Sequence, residues 1–397
     1  MEDALDFDSL LATACRVTGL DDLGGTGFAE EEFRHFFLCL TQALRDEADL
    51  STHGRMVARE RLLNTLCGRL GLVRDRKLYP GIAEEKIVRP IVTFGLPRSG
   101  TTFLHNLLAQ DPANRSPATW EIMFPSPPPH RETRFTDPRI LQCQLTLERH
   151  GWLSDTLLGM HPFGALSSEE DGLIREYAGV GWFAAYWPIP SYSDVAEGAS
   201  QASAFEVHRK ILQSLQHFHR GERWALKDPS HVYRIPQLFE TYPDVLAIQT
   251  HRDPAKTLPS AASFSRAWRA ASVADPARLE GAFNAYIALL GAAADVAIED
   301  RRTPHIAGRV FDCHFVDMIA DPIGMVRAIY AHFDIELSAA AIGAMEAHLK
   351  IDRHGQGSRH RYSLAEEGLS EAEVDARFDR YLTHYGIVRE RRVGDGS

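Results

Sequence analysis

No stretch of the 397 residues approaches the roughly 20 continuous apolar residues that a membrane-spanning helix needs, so the sequence excludes a helical transmembrane protein. Positive charge is in deficit. Lys and Arg number 43 against 54 Asp and Glu, a formal net charge of −11. Broad non-specific binding to nucleic acid is thereby disfavoured, and any anionic ligand has to be captured by a local positive site. Cysteine is scarce: Cys15, Cys39, Cys67, Cys143 and Cys313 are scattered, odd in number and without C-x-x-C spacing. Neither a disulfide framework nor a zinc site is expected from them. The opening MEDALDFDSLLATAC has acids where an export signal carries basic residues, which makes the cytoplasm the expected compartment. Internal repeats and low-complexity tracts are missing as well. What remains is an ordinary globular composition, 44% apolar and 24% charged, with length for one large domain or two smaller ones.

Residues 5 to 75 read as helices joined by short turns, with apolar residues recurring at three and four and with Gly19 and Gly71 as helix ends. A Pro/Gly-punctuated approach then leads into IVTFG (91 to 95), which has the length and composition of a buried strand, and a helix over 103 to 110. FPSPPPH (124 to 130) is too rich in proline for regular helix or a central strand. Residues 131 to 220 are mostly helical by period and carry an aromatic cluster, GWFAAYWPIPSY (181 to 192). Strands return at 223 to 228, 244 to 251 and 305 to 313, separated by helical segments near 231 to 241, after Arg252, and at 322 to 333. Strands alternating with helices imply a central parallel sheet flanked by helices, with ligands at the carboxyl ends of the strands. The expected organisation is an N-terminal helical region (1–85) packed on an α/β core (86–397) that bears a helical insertion at 131–220, all in one compact unit.

Between the strand at 91 to 95 and its helix lies GLPRSGTT, two glycines five positions apart in the frame of a phosphate loop. Gly95 and Gly100 let successive amides converge, and the start of the following helix adds partial positive charge. Thr101 replaces the lysine expected before the hydroxyl residue Thr102, and Arg98 supplies a cation inside the loop instead.

This stretch resembles the 5′-phosphosulfate loop of sulfotransferases that use 3′-phosphoadenosine 5′-phosphosulfate. With TGL (18 to 20), the block KIVRPIVTFGLPRSGTTFLHNLLAQDP, TWE (119 to 121) and PPPH (127 to 130), the chain is similar to a bacterial group of that family from residue 17 to 388. The resemblance implies a P-loop nucleotide-binding-like sulfotransferase fold, with the donor held by Gly95, Pro97, Arg98, Ser99, Gly100, Thr101 and Thr102. HRDPAKTLPS (251 to 260) resembles the family's 3′-phosphate motif, which assigns Arg252 and Ser260 to that phosphate. An arginine at a strand end and a hydroxyl about two helical turns on can place donors around one dianion. ALKDPSH (225 to 231) resembles the segment whose lysine meets the donor's bridging region, so Lys227 would offset charge on the departing phosphate. HGQGSRHRYSLAEEGLS (354 to 370) is similar to the late loop closing over the phosphates and implies contacts from Arg361 and Arg359.

The family divides over its general base, which is a histidine in some members and a glutamate about twenty residues past the loop in others. The resemblance implies the glutamate role for Glu121, beside Trp120, with His231 and His161 as rivals. In SSEED (167 to 171), Ser167 with Glu170, or Ser168 with Asp171, fits a helix capping box, and His161 and Glu169 are candidates for the acceptor side. Trp182, Phe183, Tyr186, Trp187 and Tyr192 suggest a pocket for an apolar acceptor, although such a cluster also makes plain core. The expected function is transfer of a sulfonate from the nucleotide donor to the hydroxyl of a small, apolar molecule. No metal is expected to be required, because side chains supply the cations and no H-E-x-x-H pattern occurs. Two alternatives read the same residues differently: a P-loop kinase or nucleotide hydrolase using ATP, and a catalytically silent nucleotide-binding scaffold. The kinase reading of HRD requires an asparagine at 258, where Leu258 stands.

Overall fold

The computed structural model describes residues 2–279, 282–351 and 363–390. Five parallel strands, β1 (Ile91–Gly95), β2 (Asn114–Arg115), β3 (Arg223–Lys227), β4 (Leu246–His251) and β5 (Val310–His314), form one sheet in the order β2-β3-β1-β4-β5. Successive side chains of a strand point to opposite faces, and both faces of this sheet are covered. Val92 and Phe94 enter the large core that also holds Ala247, whereas Ile91 joins Leu246, Ile248, Leu104 and Leu108 in a second core on the other side. Both faces being buried explains why IVTFG and LAIQTH read as unbroken apolar runs and not as alternating ones.

The register decides where the chemistry can be. Thr93 of β1 pairs with Lys227 at the end of β3, and Gly95 pairs with Thr250 of β4. Parallel strands in this register deliver the residues following β1, β3 and β4 to one edge of the sheet.

The N-terminal helices α1 (Phe7–Thr18), α2 (Glu30–Asp46) and α3 (Thr52–Leu78) share the large core with β1, through Leu10, Phe37, Leu40, Leu62 and Leu66. Arg69 of α3 is fully buried and donates to the carbonyls of Leu23 (3.0 Å), Tyr177 (2.5 Å) and Phe28. Burial pushes its pKa down to about 9, so at neutral pH it still bonds these carbonyls as a cation.

Several sequence expectations shift. Gly19 does end α1 in a left-handed conformation (φ 69°), but Gly71 lies inside α3, which runs on to Leu78. A Cβ at Gly71 would stand 2.4 Å from Ser126 Oγ, so the missing side chain admits the proline-rich elbow instead of stopping the helix. The strand expected over 305 to 313 begins only at Val310, because Ile306 N donates to Thr303 O and Gly308 adopts φ 73°, closing a turn first. Helices at Ala282–Asp300, Ala339–Ile351 and Glu371–Tyr385, and the two-residue edge strand β2, add to the sequence reading.

Candidate active site

β1 runs into a loop whose two glycines are each required by what lies against them. Gly95 has φ 152°, and a Cβ there would sit 2.5 Å from the carbonyl oxygen of Thr250. Gly100 has φ 100°, and its Cβ would sit 2.7 Å from Met318 and 2.8 Å from Phe315. The loop is therefore pressed onto β4 and onto the segment after β5. Helix α4 (Thr101–Leu108) starts directly after Gly100 with no side-chain cap, which leaves its first amides for an anion. Ser99 turns inward, donating to Leu96 O and sharing a bond with Thr250 Oγ1, each at 2.6 Å, so only its backbone can serve a ligand. Pro97 and Thr102 stay partly exposed, and Thr101 is buried.

Around this loop the structure gathers residues far apart in sequence. Arg98 Nε donates to Ser260 Oγ (3.1 Å), Arg252 Nη1 lies 3.5 Å from the Arg98 carbonyl oxygen, and Lys227 Nζ donates to Thr102 Oγ1 (3.2 Å). Three cations thus meet at the carboxyl ends of β1, β3 and β4. Arg359 and Arg361 lie outside the described residues. Among the described residues, no cluster of three or more His, Cys, Asp or Glu side chains could hold a metal ion.

His105 supports the loop from inside α4. Its Nε2 is 3.0 Å from Ala225 O and 3.2 Å from Ser116 Oγ. Burial, reinforced by the charge on Lys227, pushes its pKa from 6.5 down to about 4. The unfolded chain takes up a proton here below pH 6.5 while the folded chain resists until about pH 4, so stability falls as pH drops through that window. The expected loss is about 3 kcal/mol at the acid end of that window. Urea unfolding of the wild type and of His105→Gln at pH 7, 5.5 and 4.5 checks this, the variant being expected to lose less on acidification.

The segment 167 to 172 departs from the capping boxes expected for it. Glu170 stands at the N-cap of the 3-10 helix Asp171–Ala178 without capping it, and its carboxylate instead meets Lys227 Nζ. Asp171 accepts from two buried histidines, His231 Nε2 (2.8 Å) and His208 Nε2 (3.0 Å). Burial alone would raise its pKa, but these histidines hold it well below the usual carboxylate range. Gly172 is pressed against the turn after β3, where a Cβ would stand 1.8 Å from Asp228 Oδ2. Asp228 in turn is paired with Arg175 (2.8 Å). These contacts hold Glu170 beside Lys227, while 14% of its side chain remains exposed. Burial, with the like charges of Asp228 and Glu169 adding to it and Lys227 opposing, pushes the pKa of Glu170 up to about 8.

Glu121 occupies a different environment. It lies in the short helix α5 (Thr119–Met123), accepts from Ala118 N (3.0 Å) as the return arm of a helix start, and forms an ion pair with Arg115 (2.7 Å). Burial alone would raise its pKa, yet Arg115, with His219 and the Ala118 amide, holds it below the ordinary value. Only 4% of it is exposed. His231 is fully buried and committed to Asp171, whereas His161 comes close to the cations. Its Nε2 is 3.6 Å from Glu169 Oε1, and burial, together with the charges of Lys227 and Arg98, depresses its pKa.

The aromatic surface beside the site differs from the one the sequence suggested. Phe183, Trp187 and Tyr192 are core, with Trp187 stacked on Phe183 at 6.4 Å, and Tyr186 bonds Arg61 from within. The wall next to Arg98 is made by Phe264, whose ring centroid lies 5.9 Å from the guanidinium, by Phe163 nearly parallel to it at 6.4 Å, and by Trp268. Trp182 reaches that wall only through Trp268, at 6.4 Å. A signal existed in the sequence: Ser260, Phe264 and Trp268 recur every fourth residue on the helix Pro254–Ala270, and so share a face.

A glycine loop opening a helix, with arginines and a lysine collected at the ends of parallel strands, is the arrangement of the P-loop-like transferases. Within that class, the chain belongs to the sulfotransferase family, whose model matches residues 90–339. The omega-hydroxy-beta-dihydromenaquinone-9 sulfotransferase Stf3 of Mycobacterium bovis is 24% identical over 341 residues, covering 81% of each chain, and Stf3 of Mycobacterium tuberculosis matches to the same extent. The crystal structure of sulfotransferase STF1 from M. tuberculosis H37Rv superposes with a TM-score of 0.81 at 30% identity, over 95% of this chain and 99% of that one. Sulfotransferase STF9 from Mycobacterium avium gives 0.85 at 26% identity, over 98% of both.

Proposed function

We propose that the protein transfers a sulfonate group from 3′-phosphoadenosine 5′-phosphosulfate to the hydroxyl of a small apolar acceptor, in the cytoplasm and without a metal ion. The observation that carries this reading is the contact of Lys227 with both Thr102 of the loop and Glu170, which puts a cation and a basic carboxylate together at the loop. Membership of the sulfotransferase family supports it, and it argues against the kinase alternative.

In this reading Arg98 and the amides from Ser99 to Thr102 hold the sulfonate and the 5′-phosphate, while Arg252 and Ser260 take the 3′-phosphate. Arg359 and Arg361 remain proposed phosphate contacts. Glu170 takes the proton as the acceptor oxygen bonds to sulfur. The bond from sulfur to the bridging phosphate oxygen breaks in line, and Lys227 offsets the charge gathering there. The base is assigned to Glu170 and not to Glu121, because Glu121 is nine-tenths and more buried and already neutralised by Arg115. His161 and Glu169 lie on the acceptor side. Phe163, Phe264 and Trp268 offer that side an apolar face, in keeping with the menaquinone-derived acceptor in the name of the relative Stf3.

Calorimetric titration with adenosine 3′,5′-bisphosphate and with ADP tests the donor assignment. The bisphosphate is expected to bind at least about tenfold more tightly, since one charge-assisted contact contributes about 1.5–3 kcal/mol. Arg252→Ala should abolish that preference. Equal affinity for the two nucleotides in the wild type would overturn the proposed donor.

A further inference from the structure

Arg252 does not wait open. Its Nε donates to Glu390 Oε1 (2.8 Å) and its Nη2 to Glu390 Oε2 (3.0 Å), a parallel two-bond fork to a residue 138 positions away in sequence. One face of the guanidinium lies on Phe315, 3.8 Å from the ring centroid, and Nη1 faces the Arg98 carbonyl at 3.5 Å. The edge that Glu390 occupies is the two-donor edge with which arginine grips a phosphate.

The C-terminal segment is held so that this carboxylate can leave without the segment detaching. The helix Glu371–Tyr385 ends at Gly386 (φ 60°), and Ile387 packs against the core cluster that holds Leu96 and Leu258. Arg389 donates to Asp253 Oδ1 (2.9 Å) and pairs with Asp375, and the backbone amide of Glu390 donates to Asp253 Oδ2 (3.0 Å). Each of these contacts is independent of Arg252. The Arg252–Glu390 pair itself is solvent-accessible, with 25% and 22% of the two side chains exposed, so water can replace the carboxylate at little cost.

We propose that Glu390 is an internal stand-in for the donor's 3′-phosphate, closing Arg252 when no nucleotide is bound and competing with the donor for it. The inference rests on the reading above in which Arg252 takes that phosphate. A nucleotide bearing a 3′-phosphate offers a dianion that displaces the single negative charge of Glu390. A nucleotide without one leaves the pair intact and receives no contact from Arg252. The segment thus sets a threshold that only the 3′-phosphorylated nucleotide crosses, and the apparent dissociation constant is the intrinsic one divided by the fraction of molecules in which Arg252 is open.

Titration of the full-length protein and of Glu390→Gln with adenosine 3′,5′-bisphosphate and with ADP tests this. The variant is expected to bind the bisphosphate about fivefold more tightly, the upper range for a partly exposed ion pair, and ADP as the wild type does. Unchanged or weaker bisphosphate binding would overturn the inference, the latter by showing that Glu390 supports the site. Equal tightening for both nucleotides would also overturn it, because the gain would then be general electrostatics. Arg252→Ala separates the two levels. If it abolishes the preference for the bisphosphate while Glu390→Gln binds like the wild type, only the stand-in fails. If the wild type shows no such preference, the donor-site reading itself is lost.

Discussion

Replacing Glu170 by glutamine is expected to lower turnover by about 10²–10⁴-fold, the range for loss of a general base, while the affinity for the 3′-phosphorylated nucleotide is kept. Glutamine keeps the shape and the contact to Lys227 but cannot accept the acceptor's proton. The pH dependence identifies the base. Glu170 is pushed up to about 8, so it is protonated and unusable in acid, and kcat/KM for the acceptor should climb with pH to a plateau with an apparent pKa near 8. Glu121→Gln offers the contrast. It removes the partner of a fully buried arginine, Arg115, and should cost stability by about 3–5 kcal/mol, with turnover falling only as folded protein is lost. A well-folded Glu121→Gln that has lost turnover, beside an active Glu170→Gln, would return the base role to Glu121. A slow step retained in both variants would direct attention to His161.

Lys227→Met is expected to lower turnover by about 10²–10³-fold, the typical effect of removing one group that stabilises developing charge. A second effect separates this from a packing defect. After burial, the charge of Lys227 is the largest influence on Glu170, and it acts to lower the pKa. Without the ammonium, the carboxyl should protonate more readily, and the pH–rate limb should move above 8. Methionine matches the length and apolar stem of lysine, which is 1% exposed, and a protonated Glu170 can persist beside it, so the fold should survive. Measuring kcat/KM from pH 6 to 10 reads both effects. A large loss of rate with the limb unmoved would mean that Lys227 and Glu170 do not act together.

How legible the site was depended on the kind of contact. The loop GLPRSGTT was legible because a glycine pattern between a strand and a helix is a local statement about backbone. Both glycines meet neighbours closer than a Cβ permits. Arg252 and Ser260 were legible as an arginine just past a strand end and a hydroxyl eight residues on, and both come to the loop through Arg98. Glu170 was not. In the sequence it is one acid in a run of three, with a serine three residues before it, and a capping box is the natural local reading. Its pairing with Lys227 arises across 57 residues, because Gly172 lets the segment press against the turn after β3. The aromatic run 181 to 192 stayed open to two readings for a related reason: composition cannot tell an apolar wall beside a site from apolar core.

The sequence by itself determined the alternation of strand and helix, hence the parallel sheet, and the position of the glycine loop at the end of β1. These follow from period, strand composition and turn chemistry, which act over a few residues. Only the tertiary structure decided which carboxylate stands at the loop, which aromatics face it and what covers Arg252 from the C-terminal segment. Those choices depend on burial and on contacts between residues 57 to 166 positions apart. How readily a buried carboxyl ionises is set by the charges and hydrogen bonds packed around it: Glu121 is held low by Arg115, His219 and the Ala118 amide, whereas Glu170 is pushed up by burial and by the like charges of Asp228 and Glu169.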